Sequence, residues 1–174
     1  QPRWTLRAPS PAAVERFRVG AGGAPFSYPE IGASRAEMPA GYNLDHNRVR
    51  IGSGGEAFGA ACAALRSWRM FPGPWTRITP SAPIREGTVV AMQAHALGLW
   101  WLNACRIVYT LDEAAPVRRF GFAYGTLAAH VEQGEERFSV ELHADGAVWY
   151  DLRAFSRPRY WAVQLAKPLA RRLP

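Results

Sequence analysis

At 174 residues and 48% hydrophobic content, the chain is long enough to bury one sizeable core and too short for two comfortable domains. Glycine, proline or a charged residue interrupts every apolar run before it reaches the ~20 residues of a bilayer-spanning helix, which excludes a helical membrane protein and makes a cytoplasmic domain the expectation. The net charge of +7 comes from 20 arginines and one lysine against 14 acids; a general preference for arginine explains it more simply than affinity for nucleic acid, in a chain also rich in alanine and glycine.

The chain begins at Gln1, as a trimmed sequence would, and its first residues lack the apolar core of a secretory signal. Pro2, Pro9, Pro11, Pro25, Pro29 and Pro39, with glycines around 20–23, predict turns and extended pieces up to residue 42, and one short helix over 11–18. Trp4, Phe17, Phe26, Tyr28 and Tyr42 carry too much aromatic surface for a free tail. Residues 1–42 therefore read as an arm laid on a domain formed by residues 43–174.

Val49 and Ile51 alternating with Arg48 and Arg50 predict a strand over 47–51 with one wet face. A helix follows: Ser53 and Glu56 have capping-box spacing, Phe58, Ala61, Cys62, Leu65 and Trp68 form an apolar stripe, and Pro72-Gly73-Pro74 stops it. Strand patterns then succeed one another over 75–79, 87–96, 99–111, 119–127, 136–143 and 148–154. Their separators are short and contain Gly98, Asp112-Glu113, Gly134 and Asp145-Gly146, so the neighbours must be antiparallel; a parallel pair needs a crossover of about a dozen residues.

Within 97–112 the apolar residues occupy both parities, Leu99, Trp101, Cys105 and Ile107 on one and Trp100, Leu102 and Val108 on the other. A strand covered on both faces is the consequence, and Asn103 and Arg106 within it need partners or a lined cavity. Trp161, Leu165 and Leu169, four apart, predict a closing helix over 156–173, kinked at Pro168. The fold class that results is α+β: a helix-grip domain whose curved antiparallel sheet, of about six to seven strands, wraps around its C-terminal helix. Cys62 and Cys105 each sit among apolar neighbours and read as buried thiols.

The strings PEIGASRAEMPAGYNLDHNRVRIGSG, LRSWRMFP, LGLWWLNACRIVYTLDE, RRFGFAYGTLAAHVEQGEERFSVE and AVWYDLRAFSRPRYWAVQLAKPLARRL resemble those of the uncharacterised DUF1990 family, from about Phe26 to the end. That family is similar to the START and polyketide-cyclase (SRPBCC) superfamily. The resemblance implies a helix-grip fold enclosing an apolar ligand cavity, and implies no particular reaction.

Several residue groups could carry chemistry. Strand parity directs Asn103, Tyr109, Tyr124, Thr126, Glu136 and Tyr150 toward one interior, and Trp101, Asn103, Tyr124, Glu136 and Tyr150 are the expected ligand-lining set. A buried Glu136 would have a raised pKa and suit proton transfer, as would His130; these two are the candidate catalytic residues. His130, Glu132, Glu135, Glu136 and Arg137 form the densest polar cluster, where His130 and Glu132 could meet a metal with Glu136, but a solvated hairpin turn with an ion pair is the favoured reading, and neither a metal nor a cofactor is expected.

Asp45 beside His46 suggests a general-base pair, but sequence neighbours on a strand point apart, and a turn before the first strand whose side chains bond their own backbone is the favoured reading of Asp45, His46, Asn47 and Arg48. Gly52-Ser53-Gly54-Gly55 lacks the lysine of a phosphate loop, and its amides offer at most weak anion capture. The acid-free basic set Arg153, Arg157, Arg159, Lys167, Arg171 and Arg172 could touch RNA, or simply be a solvated face. The leading expectation is binding of a small, largely apolar ligand between sheet and closing helix. The alternatives are a cyclase- or hydrolase-like enzyme using Glu136 or His130, and an RNA- or partner-binding module using the basic C-terminal segment.

Overall fold

The computed structural model describes residues 3–71, 76–78, 83–96 and 98–159. In chain order these form β1 (Arg3–Thr5), α1 (Pro11–Gly20), β2 (Asn43–Ser53), α2 (Gly54–Arg66), β3 (Thr76–Ile78), β4 (Val89–Ala96), β5 (Leu99–Glu113), β6 (Arg118–Thr126), β7 (Glu132–Leu142) and β8 (Ala147–Pro158). Every strand pair is antiparallel, in the order β2-β8-β7-β6-β5-β4-β3, so six strands meander and β2 closes beside β8 as a curled half-barrel. The short β1 joins β5 at residues 100–102, an edge left vacant because β6 pairs with β5 only as far as Cys105.

The hairpin at Asp145-Gly146 forms as its residue types require. Asp145 Oδ1 accepts from the amide of Ala147 at 2.9 Å, and Gly146 adopts φ 81°, a left-handed conformation that glycine enters without steric cost. The same turn starts α2: the Gly54 amide donates to Gly146 O at 2.8 Å. The Ser53 side chain makes no cap bond, so the predicted capping box is replaced by this tertiary contact, which occupies an amide that the glycine-rich stretch would otherwise offer to an anion.

Helix α2 packs Phe58, Cys62 and Leu65 on Val90, Cys105, Ile107, Phe122, Phe138, Val140 and Val148, forming the core of the concave face. It ends at Arg66, before Pro72, because Trp68 turns back in a left-handed conformation (φ 57°) and sets its ring edge-on to Phe122 at 4.9 Å. Burying that indole outweighs the roughly 1–3 kcal/mol such a backbone costs a non-glycine residue.

The convex face is covered by the chain's beginning. Val14, Phe17 and Ala21 of α1 and its exit pack on Val89, Ala91, Leu102 and Ala104, which is how β5 comes to be buried on both sides. Arg106 is satisfied there as well, donating to Gly22 O at 2.8 Å and Ala24 O at 2.9 Å with its guanidinium over Phe26. Farther along, Glu135 is 2% exposed and accepts from Tyr28 Oη (2.7 Å), the Gly32 amide (2.7 Å), the Ser34 amide (3.0 Å) and Ser34 Oγ. Since Ser34 Oγ donates to the carboxylate, the Tyr109 hydroxyl must donate to Ser34, at 2.6 Å. Tyr28 reaches this site over Gly125, where any Cβ would collide with its hydroxyl.

Three expectations are corrected. Glu135 belongs to no solvated turn, because β7 starts at Glu132 and carries it under residues 28–34. A β-bulge between Ile107 and Tyr109 shifts the alternation and sends Tyr109 to the convex side, away from Asn103. On β2, an edge strand, Leu44, Val49 and Ile51 all stay exposed, so the predicted dry face is absent. Of the expected closing helix, Ser156 to Pro158 belong to β8 and residues 160–174 lie outside the described residues.

Removing the Glu135 acceptor leaves four donors without their partner. Glu135→Ala is expected to lower unfolding free energy by about 3 kcal/mol in denaturant titrations and to open residues 26–35 to limited proteolysis. A loss under about 1 kcal/mol would show that the arm is held by apolar packing alone.

Candidate functional site

Because α2 is only 13 residues long, about 20 Å, it fills one end of the concave face, and the other end is left open among the described residues. The hollow is a cleft of about 630 Å³ to which all seven strands of the half-barrel contribute. Phe71, Met92, Ala94 and Ala154 give it apolar walls, and Asp45, Thr76, Asn103, Tyr124, His130, Glu132 and Glu136 bring polar groups.

Glu136 sits deepest in the chemistry. Directly opposite Tyr124 in the β6–β7 register, it accepts that hydroxyl's proton at 2.5 Å. Burial, helped by the nearby charges of Asp45 and Glu132, pushes its carboxyl up to about 7 against the lowering effect of the Tyr124 bond. Burial likewise drives the Tyr124 hydroxyl well above its ordinary range, so Tyr124 is a donor and not a base.

His130 lies at the entrance to β7. Its Nδ1 accepts from the Glu132 amide at 2.9 Å, which places the proton of the neutral ring on Nε2, and burial lowers its pKa to about 4. Asn103 spends its Oδ1 on the Val131 amide at 3.3 Å. Thr76 Oγ1 is buried and, among the described residues, has no hydrogen-bond partner.

Of the five residues expected to line a ligand site, the cleft brings together Asn103, Tyr124 and Glu136, along with the candidate proton carrier His130. Trp101 and Tyr150 do not line it. Trp101 pairs with Trp4 of β1 and donates its Nε1 to Ala96 O at 3.3 Å, while Tyr150 lines a separate apolar depression of about 330 Å³ beside Ile51, Leu65, Met70 and Val140. Sequence reasoning missed Asp45 and Thr76. The expected turn at residues 45–48 is replaced by β2, which starts at Asn43, and as strand neighbours Asp45 and His46 point apart: Asp45 faces the cleft and His46 Nε2 meets Asp151 Oδ2 at 2.9 Å on the outer side.

The remaining candidates have structural uses. Arg137 donates to Asp151 at 2.6 Å and to Ser34 O. Glu141 is held by Arg48 at 2.7 Å and Arg119 at 2.9 Å, and hydrogen bonds hold both Glu141 and Asp151 below the ordinary carboxylate range against their burial. From the basic C-terminal set, Arg153 donates to Ala36 O, Arg157 to Gln133 and Arg159 to Ala128 O; Lys167, Arg171 and Arg172 lie outside the described residues. Cys62 and Cys105 are buried free thiols whose pKa values burial raises. Among the described residues no group of three or more His, Cys, Asp or Glu is arranged to hold a metal, and no helix is long and apolar enough to cross a membrane.

A curled antiparallel sheet with an arm on its outer face and a cleft in its hollow defines the class of protein. The model of the family described as a domain of unknown function, DUF1990, matches residues 27–173, and the chain belongs to that family. It is 38% identical to a UPF0548 protein of Deinococcus radiodurans over 94% of this chain and 87% of that one. It is 37% identical to a UPF0548 protein of Dictyostelium discoideum over 75% and 65%, and 33% identical to one of Arabidopsis thaliana over 74% and 64%. The chain thus matches just under two thirds of the length of these last two relatives. A hypothetical protein from Helicobacter pylori with a crystal structure aligns over 77% of this chain and 79% of that one at 12% identity with a TM-score of 0.46, too loosely to support inference.

Opposite pH effects follow from the two perturbed groups. Glu136, raised from 4.5 to about 7, makes stability fall as pH rises through that window; His130, lowered from 6.5 to about 4, makes stability rise with pH between those values. The wild-type chain is therefore expected to show a nearly flat stability profile between pH 4.5 and 6.5. Glu136→Gln should unmask a rise and His130→Asn a fall, each of the order of 2 kcal/mol, in urea titrations at stepped pH. A flat profile retained in both variants would mean that neither group is perturbed.

Proposed function

We propose that the domain binds a small, largely apolar molecule in the cleft on the concave face of its sheet. The observation that carries this reading is the cleft itself: about 630 Å³, walled by Phe71, Met92, Ala94 and Ala154, with a few polar groups converging on it. Small-molecule sites are built in this way, and hollows of a few hundred cubic ångströms match ligands of that size. The chain's phrases resemble DUF1990, a family similar to the helix-grip superfamily, whose fold usually encloses an apolar cavity, and that resemblance supports the same reading.

A second reading is favoured by one feature, the Glu136–Tyr124 pair, whose carboxyl titrates near 7 in a half-buried setting. Such a group can take up or deliver a proton at neutral pH, with the Nε2–H of His130 as a donor in the same cleft. On this reading the bound molecule is also a substrate. The basic C-terminal segment supports RNA binding less well, because Arg153, Arg157 and Arg159 are engaged with the chain itself.

A neutral environment-sensitive dye such as Nile red tests the first reading. It should bind saturably with a blue-shifted emission, and Ala154→Phe, which fills the cleft wall, should weaken it at least about tenfold while the melting temperature stays within a few degrees. Binding unchanged by the filled wall would place the dye elsewhere and remove the cleft from consideration. For the second reading, any turnover the chain supports should rise with an apparent pKa near 7 and vanish in Glu136→Gln with folding intact; activity surviving that change excludes Glu136 as the proton carrier.

A further inference from the structure

Six acids on β2, β7 and β8 fall into two groups. Glu135 has four donors, Glu141 has Arg48 and Arg119, and Asp151 has Arg137 and His46. In contrast, Asp45, Glu132 and Glu136 all line the cleft, and none of them is ion-paired among the described residues. Among the described residues, Asp45 accepts from Asn47 alone and Glu136 from Tyr124 alone. The 20 arginines and one lysine put no cation into the cleft lining among the described residues, although the chain carries a net +7. Glu132 and Glu136 are half-buried without countercharge among the described residues, which is costly, and the exposed Asp45 adds to their negative potential in the same cleft.

A second, independent observation points the same way. Thr76 Oγ1, in a residue only 6% exposed and opposite Ala94 in the β3–β4 register, has no hydrogen-bond partner among the described residues although it lines the cleft. Buried hydroxyls are rarely left in that state, so a polar group brought by an occupant is the natural completion. That group cannot be a metal ion held by these side chains alone, since no three ligating residues converge among those described. An N–H-bearing cation meets the need of the carboxylates, and a second polar group on the same molecule meets that of Thr76, which lies on β3, four strands from Glu136 on β7.

We propose that the cleft selects an organic ammonium ligand, a primary or secondary amine with an apolar body, whose charged nitrogen pairs with Glu136 within the field of Asp45 and Glu132. The inference rests on the reading of the cleft as a ligand site and narrows its ligand class. The apolar body lies along Phe71, Met92 and Ala94, and anionic ligands such as fatty carboxylates are rejected by the same three acids. Among the described residues, the groups within electrostatic range of Glu136 are Tyr124 on β6, Cys105 on β5, Asp45 on β2, Tyr150 on β8 and Glu132 on β7, none of them cationic, with His130 neutral in the same cleft at physiological pH. Pairing requires the carboxylate form of Glu136, so ligand affinity rises with pH across neutrality and binding below that point releases a proton.

The probes are n-octylamine, 1-octanol and octanoate, titrated calorimetrically at pH 6 and pH 8 in buffers of different ionisation enthalpy. At pH 8 octylammonium should bind about tenfold more tightly than octanol, with octanoate weakest, and the preference should shrink at pH 6 with proton release. Glu136→Gln should bring octylamine and octanol to similar affinities, and Asp45→Asn, on the exposed edge strand, should cut the preference several-fold should the first variant fold poorly. Octanol binding as tightly as octylammonium at pH 8, or octanoate binding most tightly, overturns the ammonium assignment while leaving an apolar ligand site intact. Failure of all three probes to bind removes the ligand site itself.

Discussion

Glu135 and Glu136 are adjacent on β7, and the alternation of a strand sends them to opposite faces of the sheet. Everything else in the molecule is organised around that divergence. Glu135, turned outward, is shut off from water under residues 28–34 and supplied with four donors from them. An ionised carboxyl so deeply buried is tolerable only with that set of bonds, which makes the arm a necessary part of the sheet's outer surface. Glu136, turned inward, has a single tyrosine donor and two like charges for company.

The inner face is hollow for a geometric reason. Strands of nine to fifteen residues on the central β5–β8 span more length than a thirteen-residue helix can cover, since a strand rises about 3.3 Å per residue and a helix 1.5 Å. Helix α2 is anchored at the Gly146 turn, so the end it covers is the one near Val140 and Val148, and the uncovered end is where Tyr124, Glu136 and Asn103 face inward. The turn at Asp145-Gly146 thereby decides where the cleft lies.

The charged residues of the outer face show the same rule from the other side. Arg137, Asp151, Arg48, Glu141 and Arg119 form linked pairs along β2, β8, β7 and β6, and each buried carboxylate in them has at least one guanidinium. Such pairs contribute little where exposed and are needed where buried. Against this background of compensated acids, those of the cleft stand apart in having no countercharge among the described residues.

Much of this was legible in the chain. Period-two patterns and short polar separators located every long strand of the meander, because the alternation of a half-buried strand and the chemistry of its turns are local properties. The double parity of residues 97–112 reported cover on both sides of β5, and the placement of Asn103, Tyr124 and Glu136 toward one interior followed from parity alone. Tertiary structure decided what local pattern cannot contain. A bulge at Ile107/Tyr109 inverts the parity beyond it, a left-handed Trp68 ends α2 early, a backbone bond from Gly146 supplants the capping box, and Glu135 is dry rather than wet because residues a hundred positions earlier lie on it. Which carboxylates find a countercharge is likewise a matter of distant partners, and so the contrast between Glu135 and Glu136, identical and adjacent in the sequence, exists only in the folded chain.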